Sequence, residues 1–153
     1  MIIRRAAAED AAEACILLRR SIAELCQLDH GGDEALLGRW LSNKTVENLG
    51  RWIAESHFLV AEEDGRLLGC AAMNGDGKIT LNYVAPEARF RGVSKALVAA
   101  LEATAKKLGL AECRLESTQT ALPFYRRLGY VDAEESYILP LTGTPASVLR
   151  KRL

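Results

Sequence analysis

The spacing of apolar residues changes along the chain, and each change marks an element. Between Glu9 and Gln27, Ala11, Cys15, Leu18, Ile22 and Leu25 recur at three- and four-residue intervals, which places them on one helical face, with Glu9 and Asp10 at its positive end. Ile2 to Arg5 ahead of it reads as a short strand. Leu28 to Gly38 holds Asp29, His30, Gly31, Gly32 and Asp33, a loop signal, and Leu36 to Leu41 and Thr45 to Glu55 read as two short helical pieces. Next come apolar runs at His57 to Glu62, Leu67 to Met73 and Ile79 to Val84. Asp64-Gly65 and the Asn74-Gly75-Asp76-Gly77 stretch link them, and such pairs accept the positive φ of tight hairpins, so three antiparallel strands are predicted.

The second half is more regular. Val93, Ala96, Leu97, Ala100, Leu101, Thr104 and Leu108 give a helix ended by Gly109. Ala111, Cys113 and Leu115 then alternate with Glu112, Arg114 and Glu116 as a strand with one buried face. A helix separates that strand from Ile79 to Val84, so the two should run parallel. Thr118 to Leu128 reads as a further helix, with Pro123 tolerated near its first turn, and Gly129-Tyr130-Val131 as a strand start. Tyr137 to Leu141 and Ser147 to Leu153 form the two ends of a hairpin around Gly143-Thr144-Pro145.

Between the strand at Val84 and the helix at Lys95 lies Arg89-Phe90-Arg91-Gly92-Val93-Ser94. The first turn of a helix has amides without intrahelical partners and a positive dipole end, which together suit a phosphate. Gly92 lets the backbone turn and approach an anion closely, and Arg89 and Arg91 add charge. The loop is neither a Walker A sequence nor Gly-x-Gly-x-x-Gly, so a different phosphate binder is implied. On the loop alone, a glycine that merely opens a helix beside solvated arginines accounts for the same residues.

Composition narrows the field. At 153 residues, one domain over 1–153 is expected, and 49% apolar with 26% charged residues is ordinary for a folded protein. Twenty basic residues balance twenty acidic ones, which gives no drive toward nucleic acid or an anionic membrane. No stretch approaches the roughly 20 apolar residues of a membrane span, and Met1 to Ala6 lacks a secretory signal, so a cytoplasmic location is expected. Cys15, Cys26, Cys70 and Cys113 show no Cys-x-x-Cys spacing and are not spaced with His30 and His57 as metal ligands; neither metal nor disulfide is expected.

With these elements in order, the chain resembles the GCN5-related N-acetyltransferases. Their signature is Arg or Gln, two residues, Gly, one residue, then Gly or Ala, met here by Arg89, Gly92 and Ser94. Val84-Ala85-Pro86 matches the usual strand-ending Val-x-Pro, and Ala121, Phe124, Tyr125, Gly129 and Tyr130 match the second block in content and spacing. The resemblance covers Phe58 to Val131, with Ile2 to Leu25 fitting more loosely, and points to small bacterial members. It implies an α+β fold: a central, mixed, mostly antiparallel sheet of about seven strands, splayed between the fourth and fifth, with helices on both faces. It also implies acetyl-CoA as co-substrate. The amides and side chains of Arg89, Arg91, Gly92, Val93, Ser94 and Lys95 would hold the pyrophosphate, and Tyr83 and Val84 at the strand end the pantetheine arm. Ser94 departs from the usual Gly or Ala and adds a hydroxyl that suits the first helical turn. Thr118 stands where many members carry a cofactor-contacting asparagine. Pairing as a homodimer through terminal strands is a further expectation of the resemblance.

Acetyl transfer needs a neutral amine, a polarised thioester carbonyl and a proton for the leaving thiolate. Tyr125 is the expected acid, since a phenol near pKa 10 keeps its proton at neutral pH; the alternative is a core aromatic beside Phe124. Many members carry a glutamate on the strand before the loop, where this chain has Asn82 and Tyr83. Asn82 as an orienter of water and Glu116 as the nearest carboxylate are the candidates for managing the amine proton. Asp29, His30 and Asp33 either bind a cationic amine or cap helices and make turns. The leading reading is direct transfer to a primary amine of a small molecule. The alternatives are a peptide or protein N-terminus, or a module that binds acyl-CoA without turnover.

Overall fold

The computed structural model describes the backbone of residues 1–153 and all side chains except those of residues 134–136. The order is β1 (Ile2–Arg5), α1 (Ala11–Leu25), α2 (Gln27–His30), α3 (Glu34–Leu41), α4 (Val46–Glu55), β2 (His57–Glu63), β3 (Arg66–Met73), β4 (Ile79–Val84), α5 (Val93–Lys107), β5 (Glu112–Ser117), α6 (Leu122–Arg127), β6 (Val131–Ile138) and β7 (Pro145–Arg152). It is the expected α+β fold with helices on both faces and a splay between β4 and β5.

Strands β1-β2-β3-β4 form one antiparallel sheet and β5-β7-β6 another. Asp64 and Gly65, both at positive φ (52° and 74°), turn β2 into β3, the backbone a two-residue hairpin requires. The sheet is not continuous, in contrast to the single mixed sheet the sequence suggested. The two halves touch at one parallel bridge, Lys78 to Arg114. Gly77 permits it: at φ 95° its carbonyl accepts from Arg114 N–H (3.1 Å), and a Cβ there would lie 2.7 Å from the Glu112 carbonyl oxygen. Beyond this point β4 and β5 diverge, so the expected parallel pairing shrinks to the root of a fork.

The core fills both sides of β3, which is buried from Leu67 to Met73 and packs against α1 and α5. Leu18, Ile22, Leu97 and Leu101 are fully buried at helical spacing, as the periodicity predicts. Gly69 is where α5 comes closest: a Cβ would stand 2.8 Å from Val93 Cγ1, 3.0 Å from the Tyr83 carbonyl oxygen and 3.2 Å from Leu97 Cδ1. A glycine inside an apolar strand is the sequence sign of such an approach. It sets the N-terminus of α5 beside the end of β4.

Several boundaries differ from expectation. Helix α1 stops at Leu25, and Gly31 at φ 59° ends α2; α3 starts two residues earlier than predicted because the Asp33 carboxylate caps it. Helix α6 starts at Leu122 rather than Thr118. Side chains hold its leading amides in a turn: Asp29 accepts from Gln119 and Thr120 N–H (2.6 and 3.1 Å), and Thr118 Oγ1 accepts from Ala121 N–H (3.1 Å). Tyr137 and Ile138 belong to a strand that already begins at Val131, and the hairpin turns over residues 139–144.

Candidate active site

The loop before α5 is shaped as an anion cradle. Gly92 precedes the helix at φ 79°, and the first bond of the helical ladder runs from Ala96 N–H to the Gly92 carbonyl (3.1 Å). The amides of Val93, Ser94 and Lys95 precede that ladder, and no side chain caps them. Space opposite Gly92 is open, with no heavy atom within 4 Å of where a Cβ would stand. Three uncapped amides at the positive end of a 15-residue helix can hold a diphosphate.

The two arginines part ways. Arg89 lines the cavity, its guanidinium carbon 4.5 Å above the centre of the Phe90 ring. Arg91 turns away and pairs with Glu63 at the β2–β3 turn (2.8 Å), holding that carboxylate below its ordinary range. Phe90, 89% exposed and at φ 65°, is a feature the motif did not single out. Its backbone is unusual for a residue with a side chain, and its ring forms part of the cavity wall.

That cavity, about 550 Å³, runs from Gly92, Ser94 and Lys95 past Tyr83 and Val84 to Thr118 and Phe124. A smaller one of about 60 Å³ lies in the fork and is lined by Asn82, Glu116 and Tyr125. A third, about 250 Å³, lies between the α2–α3 segment and the β6–β7 turn. Thr118 lines all three. The sequence analysis also missed Cys26 and Arg127 in the largest wall. Cys26 sits where α1 ends, a position that only the break of that helix reveals.

Tyr125 is buried on α6, edge-on to Phe124 and Tyr130 (ring centres 5.1 and 5.6 Å). Its hydroxyl accepts from the Asn82 Nδ2 amide (3.0 Å), which leaves the phenolic proton for another acceptor. Burial pushes this phenol up to about 12, with the Asn82 hydrogen bond pulling the other way. Asn82 lines both the fork and the large cavity, and its Oδ1 is buried without a hydrogen-bond partner among the described residues. Tyr83 is half-buried on the face toward Trp40 and Cys26, and burial raises its hydroxyl well above the ordinary range. In the largest cavity the Cys26 thiol is pushed up to about 12 by burial and the nearby Asp29 charge.

The remaining candidates have partners. Glu116 pairs with Lys78 (2.7 Å) at the root of the fork. Asp29 holds the residue 118–121 turn, also accepting from Thr120 Oγ1 (2.6 Å). His30 is buried, with Nε2 3.0 Å from the Ile22 carbonyl and Nδ1 accepting from Gly32 N–H (3.0 Å); both ring nitrogens are engaged, and Nε2 carries the proton. Asp33 is the exposed cap of α3. Among the described residues, no three His, Cys, Asp or Glu side chains converge as metal ligands.

The fork, the cradle and the buried phenol define a class. Residues 29–138 match the family model described as the acetyltransferase (GNAT) domain. The chain belongs to this family and is an acetyltransferase. Solved structures agree on the fold. A GCN5-related N-acetyltransferase from Rhodopseudomonas palustris is 23% identical with a TM-score of 0.90, over 99% of this chain and 95% of that one. The PaiA N-acetyltransferase of Thermoplasma acidophilum, in complex with coenzyme A, is 21% identical with a TM-score of 0.82, over 99% and 98%. YncA, a putative acetyltransferase from Salmonella typhimurium with its cofactor acetyl-CoA, is 17% identical with a TM-score of 0.73, over 100% and 94%. No curated protein sequence matched.

Proposed function

We propose that this chain transfers acetyl from acetyl-CoA directly to a primary amine of a small molecule, with Tyr125 as the acid. When bound, acetyl-CoA supplies the activated acyl group and a thiol leaving group. The observation that carries the reading is the Asn82–Tyr125 pair beside the cradle: a buried phenol that accepts a hydrogen bond and has its own proton to give. The uncapped amides of Val93 to Lys95, with Arg89 beside them, fit a diphosphate.

Proton balance supports Tyr125. A phenol near 12 would be a weak acid toward a free thiolate in water, where a thiol titrates near 8.5. Burial raises a thiol in the neighbouring large cavity as well, where Cys26 is pushed up by burial and by the Asp29 charge. Burial of the leaving sulfur would raise its proton affinity in the same direction as the phenol's, which favours transfer from Tyr125. Cys26 has no acyl-carrying role in this reading, because a thiol held so high is protonated and a poor nucleophile.

Glu116 already faces the Lys78 ammonium, so no proton-taking role is assigned to it. The amine instead enters neutral, and the proton its nitrogen sheds on acylation returns to the Tyr125 phenolate left after the thiolate is protonated, which restores the phenol. The experiment is calorimetric titration with acetyl-CoA followed by thiol release over an amine panel. Acetyl-CoA binding with release on small primary amines is expected. Binding without release on any amine would overturn the transferase reading in favour of a sensor, and release on peptides alone would overturn the small-molecule acceptor.

A further inference from the structure

We infer that Asp29 is a positioning residue for acetyl transfer: from α2 its carboxylate clasps the turn that begins α6, and through that turn it sets the Tyr125 hydroxyl against Asn82. The inference rests on the reading of Tyr125 as the acid and adds the residue that keeps the acid in place.

The two walls of the fork meet at its root, through the Lys78 to Arg114 bridge and the Lys78–Glu116 ion pair, and diverge beyond it. Asn82 stands on β4, whereas Tyr125 follows β5 on α6. Asp29 joins the two sides a second time. Its backbone N–H donates to the Cys26 carbonyl at the end of α1 (3.0 Å), and α1 packs on β3 and β4. The next residue, His30, is buried and ties α2 to α1 again through the Ile22 carbonyl (3.0 Å). From this anchored base the Asp29 carboxylate reaches the β5–α6 connection, where it accepts from Gln119 N–H, Thr120 N–H and Thr120 Oγ1 (2.6, 3.1 and 2.6 Å).

What the carboxylate holds is tied directly to the phenol. Helix α6 is six residues long, and so short a helix gains too few internal hydrogen bonds to fix its own start. Residues 118–121 supply that start: Thr118 Oγ1 accepts from Ala121 N–H (3.1 Å), and the Ala121 carbonyl accepts from Tyr125 N–H (3.1 Å). The backbone of Tyr125 therefore hangs from the last residue of the clasped turn. A carboxylate suits the task, since hydrogen bonds to an ionised acceptor are stronger than neutral ones.

For a proton donor, placement decides the rate: a displacement of about 1 Å can cost roughly 10²-fold. The cradle amides belong to α5, outside the clasped turn. Loss of the clasp should therefore act on turnover more than on cofactor affinity.

The test is a double-mutant cycle between Asp29→Ala and Tyr125→Phe, read as thiol release at saturating acetyl-CoA and amine, with Asp29→Asn in place of Asp29→Ala should that variant fail to fold. Asp29→Ala alone should lower kcat by about tenfold or more while CoA affinity by calorimetry stays within about threefold. In the Tyr125→Phe background the same change should alter kcat by less than about twofold, because no hydroxyl is left to place. No loss from Asp29→Ala alone, or an equal loss in both backgrounds, would overturn the inference. A crystal structure of the Asp29→Ala variant separates the clasp from the acid reading: the Tyr125 hydroxyl should stand beyond hydrogen-bond reach of Asn82 Nδ2, and a hydroxyl still in place would overturn the positioning claim. A displaced hydroxyl beside a Tyr125→Phe variant with unchanged kcat sinks the acid reading and leaves the clasp standing.

Discussion

Tyr125 and Gly92 carry the account at the scale of single residues. On the proposed mechanism, removing the Tyr125 hydroxyl deletes the proton donor without touching the cradle, so Tyr125→Phe should lower kcat by about 10²–10⁴-fold and leave CoA affinity within twofold by calorimetry. The phenol must be protonated to act, and with burial pushing it to about 12 it stays so across the working range. In the unaltered enzyme kcat/KM should therefore rise with pH as the amine loses its proton, with no alkaline decline below about pH 10. Gly92→Asp should act on binding instead. At φ 79° an L residue is strained, and a carboxylate would face the bound diphosphate, so CoA affinity should fall by about tenfold or more by calorimetry. Both residues were legible because a motif names them and their chemistry is local. The directions of Arg89 and Arg91 were not. Two residues apart in one loop, they separate because Glu63, on a distant turn, claims only one of them.

Helix α5 performs its task only if it lies in the right place, and Gly69 decides that. Gly69→Val would set side-chain atoms against Val93 and the Tyr83 carbonyl, forcing the start of α5 off the sheet. Overpacking of this kind costs about 1–3 kcal/mol, and thermal denaturation should show a lower Tm together with weaker CoA binding. A lower Tm with unchanged CoA affinity would mean that the cradle does not depend on this contact. Periodicity located α1, α5 and the hairpin strands because each buries one repeating face, or in β3 both faces. Periodicity failed at α6. Its leading turn is set by Asp29, about ninety residues away along the chain. The same link explains why Asp29, His30 and Asp33 could be read from sequence either as amine ligands or as turn and cap residues: a polar, glycine-containing segment looks the same until its partners are known.

At the scale of the molecule, two antiparallel sheets meet at one parallel bridge and open into a fork, and the resemblance anticipated the splay but not the break. The bridge at which the two sheets still meet depends on the close approach at Gly77, which no hydrophobic pattern records. Global stability carries a separate signature in Lys44, 7% exposed, whose ammonium donates to Asn43 Oδ1 (2.7 Å) and which burial lowers from 10.5 to about 8. Between pH 8 and 10.5 the unfolded chain binds more protons at this site than the folded one, so its effect is to raise stability with pH across that window, with the penalty fully present below about 8. Lys44→Met should remove that rise, by up to about 3 kcal/mol, when urea unfolding at pH 7.5 and pH 10 is compared with the unaltered protein. The central claim, that one cleft holds acetyl-CoA by the α5 amides and presents its sulfur to Tyr125, is tested most directly by a crystal structure with the cofactor bound. The account predicts diphosphate oxygens within about 3.5 Å of the amides of Val93 to Lys95, and the sulfur within reach of the Tyr125 hydroxyl. A diphosphate seated elsewhere, or a phenol turned away from the sulfur, would contradict it.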